Sequence, residues 1–303
     1  MEDVPPIINV PSLIRRILEA ELEQLFLLYP YSTVSFFLEN QNSPADTWVV
    51  DSHCVFLAEK FIEQCQVHGF KGLVIPCVQG DADNASHAAA VFKFENPFIQ
   101  QDQGYIIVDP GLLLDEAAVI RDDYYTVVYN HRDFIQLSHP KDVKFKDTWP
   151  FIKANFNLRV SESSFFLLRP LTALDKRHIH QKLSVANSAI LAVPASRFMQ
   201  PDYKLRSLQI LRRNRQINVN VDGFKSTLHF DSKGKDRKLK ISPPNQNAQS
   251  LVQTITHDLL WRRDNLLLYF NLSMEQINSF WDGSFFTILD KFYSESLEIN
   301  ELK

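Results

Sequence analysis

Three residue types that can together perform nucleophilic catalysis occur in order between Asp51 and Leu114. Cys54 opens a helical pattern, His87 lies at the start of an apolar segment, and Asp109 ends the next apolar segment. A reactive thiol needs an imidazole within hydrogen-bond reach, and the imidazole needs a group that fixes its tautomer. The residues predict a catalytic triad in which Cys54 is the nucleophile, His87 is the general base and then acid, and Asp109 orients His87.

The helix predicted to begin at Cys54 would favour the reactive form of this thiol. Gly69 ends the helical pattern, and Asp51 or Ser52 is available as its N-cap. The start of a helix presents unpaired N–H groups and a partial positive charge, and both favour thiolate over thiol. The apolar stripe of this helix contains Val55, Phe56, Ala58, Phe61, Ile62 and Cys65.

The segments that carry His87 and Asp109 are predicted to be neighbouring antiparallel strands. The apolar runs GLVIPCV, AAAVFKF and GYIIVDP are separated by polar or proline-containing turns. Adjacent strands lie about 4.8 Å apart, so side chains on one face of the sheet can touch. The spacing is therefore compatible with contact between the imidazole and the carboxylate.

The remaining segments predict an α+β fold. An amphipathic helix is expected from Pro11 through SLIRRILEAELEQLFLLY. Strands are expected at YYTVVYN and SSFFLLRPL, a short helix or turn at ALDKRHIHQKL, and a β-meander over 202–244 with a hairpin turn at Asp222-Gly223. Two helices are expected after that. The predicted division is a helical part with the nucleophile (1–80), a β-sheet part with His87 and Asp109 (81–200), and β-hairpins with C-terminal helices that close the cleft (201–303).

Other cysteine and histidine residues offer alternatives that the sequence leaves open. His53 is a rival for the role of base, although adjacent side chains usually diverge. Cys65 and Cys77 are interpreted as structural, and the cysteines lack the paired short spacing of a zinc site, so no metal is expected. The oxyanion would be held by the backbone N–H of Cys54, with Gln41 or Asn42 as a candidate second donor.

A basic cluster on the predicted hairpins has two interpretations. It can be a solvated edge that prevents strand pairing between molecules. It can also contact the phosphates of coenzyme A or of a carrier protein's phosphopantetheine arm. Its members are Arg212, Arg213, Arg215, Lys233, Lys235, Arg237, Lys238 and Lys240.

Composition narrows the class of protein. The 303 residues are 45% hydrophobic and 22% charged, as in ordinary soluble proteins. A net charge of −4 provides no general basic field, so nucleic acid is not expected as a partner. Three cysteines, an odd number, argue for a reducing compartment. No signal-peptide pattern or membrane-spanning apolar run is evident, so a soluble cytoplasmic protein without a membrane partner is expected.

The order of a cysteine opening a helix, then HAAAVF, then YIIVDPG resembles the core of the transglutaminase-like and papain-like cysteine superfamily. Within it, the arylamine N-acetyltransferases are the nearer match for a chain of this length. The resemblance implies a helical N-terminal part that carries Cys54, a β-barrel part that carries His87 and Asp109, and a third part that closes the cleft. The segment ahead of Cys54 lacks the Arg-Gly-Gly of those acetyltransferases, and the Asp-Pro at residues 109 and 110 is closer to the transglutaminase-like pattern.

The resemblance implies an acyl (amide-forming) transferase that works through a thioester on Cys54. The expected partners are a small-molecule acyl donor and an amine acceptor, with an acyl carrier protein as a further option. No permanently bound cofactor is expected, and the donor would be an acyl-CoA or a phosphopantetheine thioester. Two alternatives stay open: a cysteine hydrolase (thioesterase or amidase) of the same superfamily, and an inactive interaction module.

Overall fold

A computed structural model describes most of the first two thirds of the chain and four strands beyond it. The described residues are 5–29, 31–33, 53–80, 83–114, 116–121, 125–129, 134–156, 163–184, 188–193, 206–211, 216–221, 224–230 and 237–242. The predicted C-terminal helices and the Asp222-Gly223 turn lie outside these residues. Contacts divide the chain into two compact units: Met1–Phe26 with Ser52–Leu183, and Leu27–Asp51 with Ser184–Lys303. The predicted three-part division stays a prediction.

The described residues form three α-helices: α1 (Pro11–Leu28), α2 (Cys54–Cys65) and α3 (Ala173–Ser184). Helix α1 is amphipathic, as its pattern predicts. Its apolar face is buried at Ile14, Leu18, Leu22 and Leu25. None of the helices in the described part of the chain combines the length and apolar character needed to cross a bilayer.

Helix α2 begins at Cys54, as predicted, but its cap differs from the prediction. The N-cap is His53, whose side chain accepts the backbone N–H of Val55; the prediction of Asp51 or Ser52 as the cap is therefore wrong. The helix continues into a short 3₁₀ segment, Gln66–His68, and Gly69 ends it with a φ of 74°. This left-handed conformation is readily adopted by glycine and explains why the chain turns here.

Helix α3 has a reciprocal cap at its start. The Asp175 carboxylate accepts the backbone N–H of Thr172 at 2.8 Å, and the Thr172 hydroxyl accepts the N–H of Asp175 at 3.2 Å. Arg169 donates two further hydrogen bonds to the same carboxylate. An ion pair between Lys176 and Glu59 connects α3 to α2. The segment left open as a helix or a turn is therefore a helix.

The larger sheet contains ten strands and belongs to the first unit. Eight of them run in the order β6-β5-β4-β3-β11-β10-β8-β7, all antiparallel to their neighbours. Strand β1 adds to β4 in parallel, and β9 pairs with β10. The bounds are β1 Ile7–Ile8, β3 Gly72–Gln79, β4 His87–Glu95, β5 Gln103–Val108, β6 Ala118–Arg121, β7 Tyr125–Tyr129, β8 Phe134–Ser138, β9 Lys144–Phe145, β10 Trp149–Phe156 and β11 Ser163–Leu167.

The two end strands of this sheet come back together, so the sheet is nearly closed. The hydroxyl of Thr126 in β7 donates a 2.5 Å hydrogen bond to the carbonyl of Val119 in β6. The inner face is filled by one cluster of buried apolar side chains that includes Ile75, Val91 and Phe166. Alternation along the strands places these residues on one face of the sheet and the neighbouring positions on the other.

The outer face of β3 and β4 is covered by the helices. Cys54 and Val55 of α2, Ala88 of β4 and Ile179 of α3 form a second buried cluster. Farther along α2, the ring of Phe61 meets that of Phe92 in an edge-to-face contact with centroids 6.0 Å apart. These contacts fix the start of α2 against the same strand that carries His87.

The second unit contains a six-stranded antiparallel sheet with the order β16-β15-β14-β13-β12-β2. Its strands pair as consecutive hairpins, apart from β2, which adds to β12. This confirms the meander predicted over 202–244. The bounds are β2 Tyr31–Ser32, β12 Ser188–Val193, β13 Arg206–Leu211, β14 Gln216–Val221, β15 Phe224–Phe230 and β16 Arg237–Ser242. Together the two units give the α+β class that the sequence predicts.

Candidate active site

His87 and Asp109 lie side by side at one end of the larger sheet. His87 is the first residue of β4, and Asp109 directly follows β5, the antiparallel neighbour of β4. The Nε2 of His87 lies 2.9 Å from Oδ1 and 2.8 Å from Oδ2 of Asp109. A carboxylate can only accept, so Nε2 carries the proton and donates it. The carboxylate fixes the tautomer of the imidazole in this way.

The Asp109 carboxylate also organises the turn that follows it. Its side chain is fully buried, and Oδ1 accepts the backbone N–H of Leu112 at 3.0 Å. Asp109 is thereby the cap of a 3₁₀ turn, Pro110–Leu112, which begins with the proline expected at such a position. One carboxylate therefore holds both the imidazole and the turn.

Cys54 reaches the same imidazole from the start of α2. The Cys54 side chain is buried and lies beside the His87 ring, because Cβ of Cys54 and Cε1 of His87 both border the same point at Gly111, at 2.5 and 2.7 Å. Because Nε2 faces Asp109, Nδ1 is the ring nitrogen that remains for the sulfur. The structure thus brings together the three side chains that the sequence singles out, in the order thiol, imidazole, carboxylate.

The charges around His87 favour its protonated form. Burial alone would lower the pKa of His87. The negative charge of Asp109, the hydrogen bond to its carboxylate and the interaction with Cys54 together outweigh burial and raise this pKa to about 10. The edge of the ring also meets Phe166, with centroids 6.4 Å apart. An imidazolium at neutral pH is the partner that a thiolate requires.

The other two cysteines are buried thiols inside the core. Cys77 lies directly opposite His87 in the pairing of β3 with β4, and Cys65 ends α2. Burial, and then the charge of Asp109, raises the pKa of Cys77 far above its ordinary value, and burial with the charge of Glu21 does the same for Cys65. Both thiols therefore stay protonated, whereas a nucleophilic cysteine must be a thiolate.

The side chain of His53, the alternative candidate for the general base, is hydrogen-bonded to the backbone at the start of α2. Its Nδ1 accepts the N–H of Val55 at 3.1 Å, and its ring meets the edge of His180 with centroids 5.0 Å apart. Burial, reinforced by the positive charges of His180, Lys176 and His87, lowers the pKa of His53 to about 3. His53 is therefore neutral at physiological pH and acts as a helix cap. Histidine is not among the preferred capping residues, so no signal in the sequence pointed to this role.

The remaining candidates from the sequence are the oxyanion donors and the basic cluster. Gln41 and Asn42, the candidate oxyanion donors, lie outside the described residues, as do the five basic residues of the hairpin cluster at 212, 213, 215, 233 and 235. Arg237, Lys238 and Lys240 lie in β16, where Lys238 pairs with His229 and Lys240 with Thr227. In the described ranges, no three His, Cys, Asp or Glu side chains gather closely enough to hold a metal ion.

Comparison with known proteins gives structural likenesses only. No family model matches the chain, and no curated protein sequence matches it. Among solved structures, the chain is similar to an arylamine N-acetyltransferase from Salmonella typhimurium, with 11% identity, a TM-score of 0.49 and coverage of 94% of both chains. It is also similar to the arylamine N-acetyltransferase from M. tuberculosis, with 12% identity, a TM-score of 0.44 and coverage of 91% of this chain and 93% of that one. With TM-scores below 0.5, neither likeness establishes a shared activity.

Proposed function

We propose that this protein is an acyltransferase that forms amides through a thioester on Cys54. One observation carries the proposal: a single imidazole, His87, hydrogen-bonds to a fully buried carboxylate and lies beside a thiol at the start of a helix. Burying a carboxylate is costly unless it is paired. In this site its main partner is the imidazole, which in turn supports the charge state that makes a thiol nucleophilic.

The first half of the proposed reaction consumes the acyl donor. The Cys54 thiolate attacks the carbonyl carbon of a thioester, and a new carbon–sulfur bond forms. The carbon–sulfur bond of the donor then breaks, and the released thiol takes its proton from the His87 imidazolium. Asp109 keeps the ring oriented and offsets its positive charge before the transfer. The products of this half are an acylated Cys54, a free thiol and a neutral His87.

The second half regenerates the enzyme. An amine attacks the carbonyl carbon of the acylated Cys54, and neutral His87 removes a proton from the amine nitrogen. The carbon–sulfur bond to Cys54 breaks, and the amide leaves. The thiolate and the imidazolium are then both restored, so the cycle needs no redox partner. If water replaces the amine, the same steps give a free acid, and the enzyme is a thioesterase; if the donor is an amide, an amine is released in the first half and the enzyme is an amidase.

The donor is proposed to be a thioester of coenzyme A or of a phosphopantetheine arm on a carrier protein. No permanently bound cofactor is part of the proposal. The acceptor is proposed to be a small-molecule amine.

The proposal is tested by intact-protein mass spectrometry after incubation with a panel of acyl-CoA and acyl-pantetheine thioesters. We expect a mass increase of one acyl group in the native protein and in Cys65→Ser, and none in Cys54→Ser. His87→Ala is expected to acylate slowly and to lose turnover. Addition of an arylamine or alkylamine should then yield the amide rather than the free acid. Absence of any adduct across the panel would favour an inactive interaction module, and free acid alone would make the protein a hydrolase.

A further inference from the structure

Gly111, the middle residue of the turn that Asp109 caps, lies against both reacting side chains. A Cβ atom built on Gly111 would be 2.5 Å from Cβ and 2.8 Å from Cα of Cys54, and 2.7 Å from Cε1 of His87. Real Cβ atoms essentially never approach other heavy atoms within 3.0 Å. Any residue other than glycine would therefore displace the thiol, the imidazole or the turn.

The need for glycine here is steric and not conformational. Among described residues, the glycines with positive φ are Gly69 and Gly80, and Gly111 is not one of them. An L-residue could therefore adopt the backbone conformation of Gly111 without strain. The contacts alone forbid a side chain, so an alanine at this position is a probe of the distance between thiol and imidazole.

The turn cannot retreat without disturbing the triad. Asp109 holds it through Oδ1 to the N–H of Leu112 at 3.0 Å and through its carbonyl to the N–H of Leu114 at 3.2 Å. Leu114 is buried in the inner cluster of the sheet. A Cβ on Gly111 would instead press on Cε1 of His87, the ring atom between the two nitrogens. Pressure on Cε1 would turn the whole ring, which would move Nε2 away from Asp109 and change the position of the ring relative to Cys54.

We propose that Gly111 is a positioning residue: its missing side chain lets the side chains of Cys54 and His87 lie close together. This inference rests on the proposed function, because it concerns the same thiol and imidazole. The loss of this approach separates the thiol from the imidazole that is proposed to activate it. Acylation slows as a result, although all three members of the triad are still present.

Gly111→Ala tests the proposal, with Gly72→Ala as a matched control. A Cβ on Gly72 would lie 2.6 Å from Cε1 of Phe92, a similar clash with an aromatic ring. Gly72 pairs with Phe92 at the far end of the two strands whose other end pairs Cys77 with His87. Gly72→Ala thus introduces a comparably short contact in β3 without touching Cys54, His87 or Asp109 directly.

The readouts are the rate of Cys54 alkylation by iodoacetamide as a function of pH, the rate of acylation by a thioester, and thermal unfolding. For Gly111→Ala we expect alkylation near pH 6 to fall at least about tenfold, with a pH profile that moves toward that of a free thiol. Acylation should slow by a similar factor. Gly72→Ala should keep the native pH profile and acylation rate, whatever its effect on thermal unfolding.

The outcomes separate this inference from the proposed function. A folded Gly111→Ala variant with the native alkylation profile would overturn the positioning role and leave the proposed function intact. A Gly111→Ala variant without a cooperative thermal transition would overturn it as well, because glycine would then be required for folding. A native protein that reacts no faster than a free thiol near pH 6 would refute the proposed function itself, and the inference with it.

Discussion

Replacing Asp109 by asparagine is expected to lower the pKa of His87 and leave the turn after β5 in place. Asparagine keeps an oxygen for the N–H of Leu112 but removes the negative charge. The rise in the pKa of His87 from 6.5 to about 10 corresponds to about 5 kcal/mol of preference for the imidazolium in the folded protein. A contacting opposite charge supplies roughly 1 to 3 pKa units of such a shift. We therefore expect the pKa of His87 to fall by that amount in Asp109→Asn.

The same change has a defined effect on stability. A group whose pKa is raised on folding stabilises the protein fully below its unfolded pKa and loses this contribution as pH rises through its folded pKa. For His87 the window runs from pH 6.5 to about pH 10. Asp109→Asn should therefore lower the free energy of unfolding by about 1 to 4 kcal/mol near pH 6, and the difference from the native protein should shrink toward the upper end of the window.

Two measurements check this prediction. NMR titration of the His87 Cε1–H, assigned with His87→Ala, gives its pKa, and urea unfolding at the two ends of the window gives the stability difference. Asp102→Asn is the matched control, because Asp102 accepts a 2.7 Å hydrogen bond from Arg121, whose charge does not titrate in this range. An unchanged pKa of His87 in Asp109→Asn, or a stability difference that does not vary with pH, would refute the electrostatic coupling of the two residues.

Three further predictions concern the surroundings of the site. His53→Ala should cost about 1 kcal/mol of stability by removing the cap of α2, and His53→Asn should restore it; turnover should persist in both, and its loss in His53→Asn would make His53 catalytic. Cys65→Ser and Cys77→Ser should each retain most of the turnover in the coupled thioester–amine assay, because these thiols are buried and protonated. Loss of turnover in a folded variant of either would contradict its structural role. Asp175→Ala should cost about 3 to 5 kcal/mol by leaving Arg169 without its partner; denaturant titration would show this, and a cost below about 1 kcal/mol would mean that the pair behaves as a surface salt bridge.

The helix that begins at Cys54 and the strands at whose ends His87 and Asp109 lie could be predicted, because they depend on local residue patterns. The apolar stripe after Cys54 predicts a helix that begins there, and the three apolar runs predict adjacent strands with His87 and Asp109 at their ends. Both expectations agree with α2 and with the pairing of β3, β4 and β5. The spacing of apolar residues and the positions of turn residues are sufficient to predict these helices and strands.

The contacts that refine the site could not be predicted, because they depend on packing between distant segments. His53 became a cap only when the helix start was fixed against β4 and α3, and histidine carries no capping signal of its own. The sequence shows Gly111 only as the residue that follows Pro110. Its contacts with Cys54 and His87 arise from tertiary packing, on which the turn pattern has no bearing.

Cys54 and His87 are proposed to react as a thiolate and an imidazolium, and the decisive measurement is the pH dependence of Cys54 alkylation. Labelling by iodoacetamide, located by peptide mass spectrometry, would be compared in the native protein, in His87→Ala and in a cysteine-containing peptide. We expect Cys54 of the native protein to react near pH 6 at least about tenfold faster than the peptide, and His87→Ala to lose this advantage. Equal rates for the native protein and the peptide would contradict the proposed chemistry.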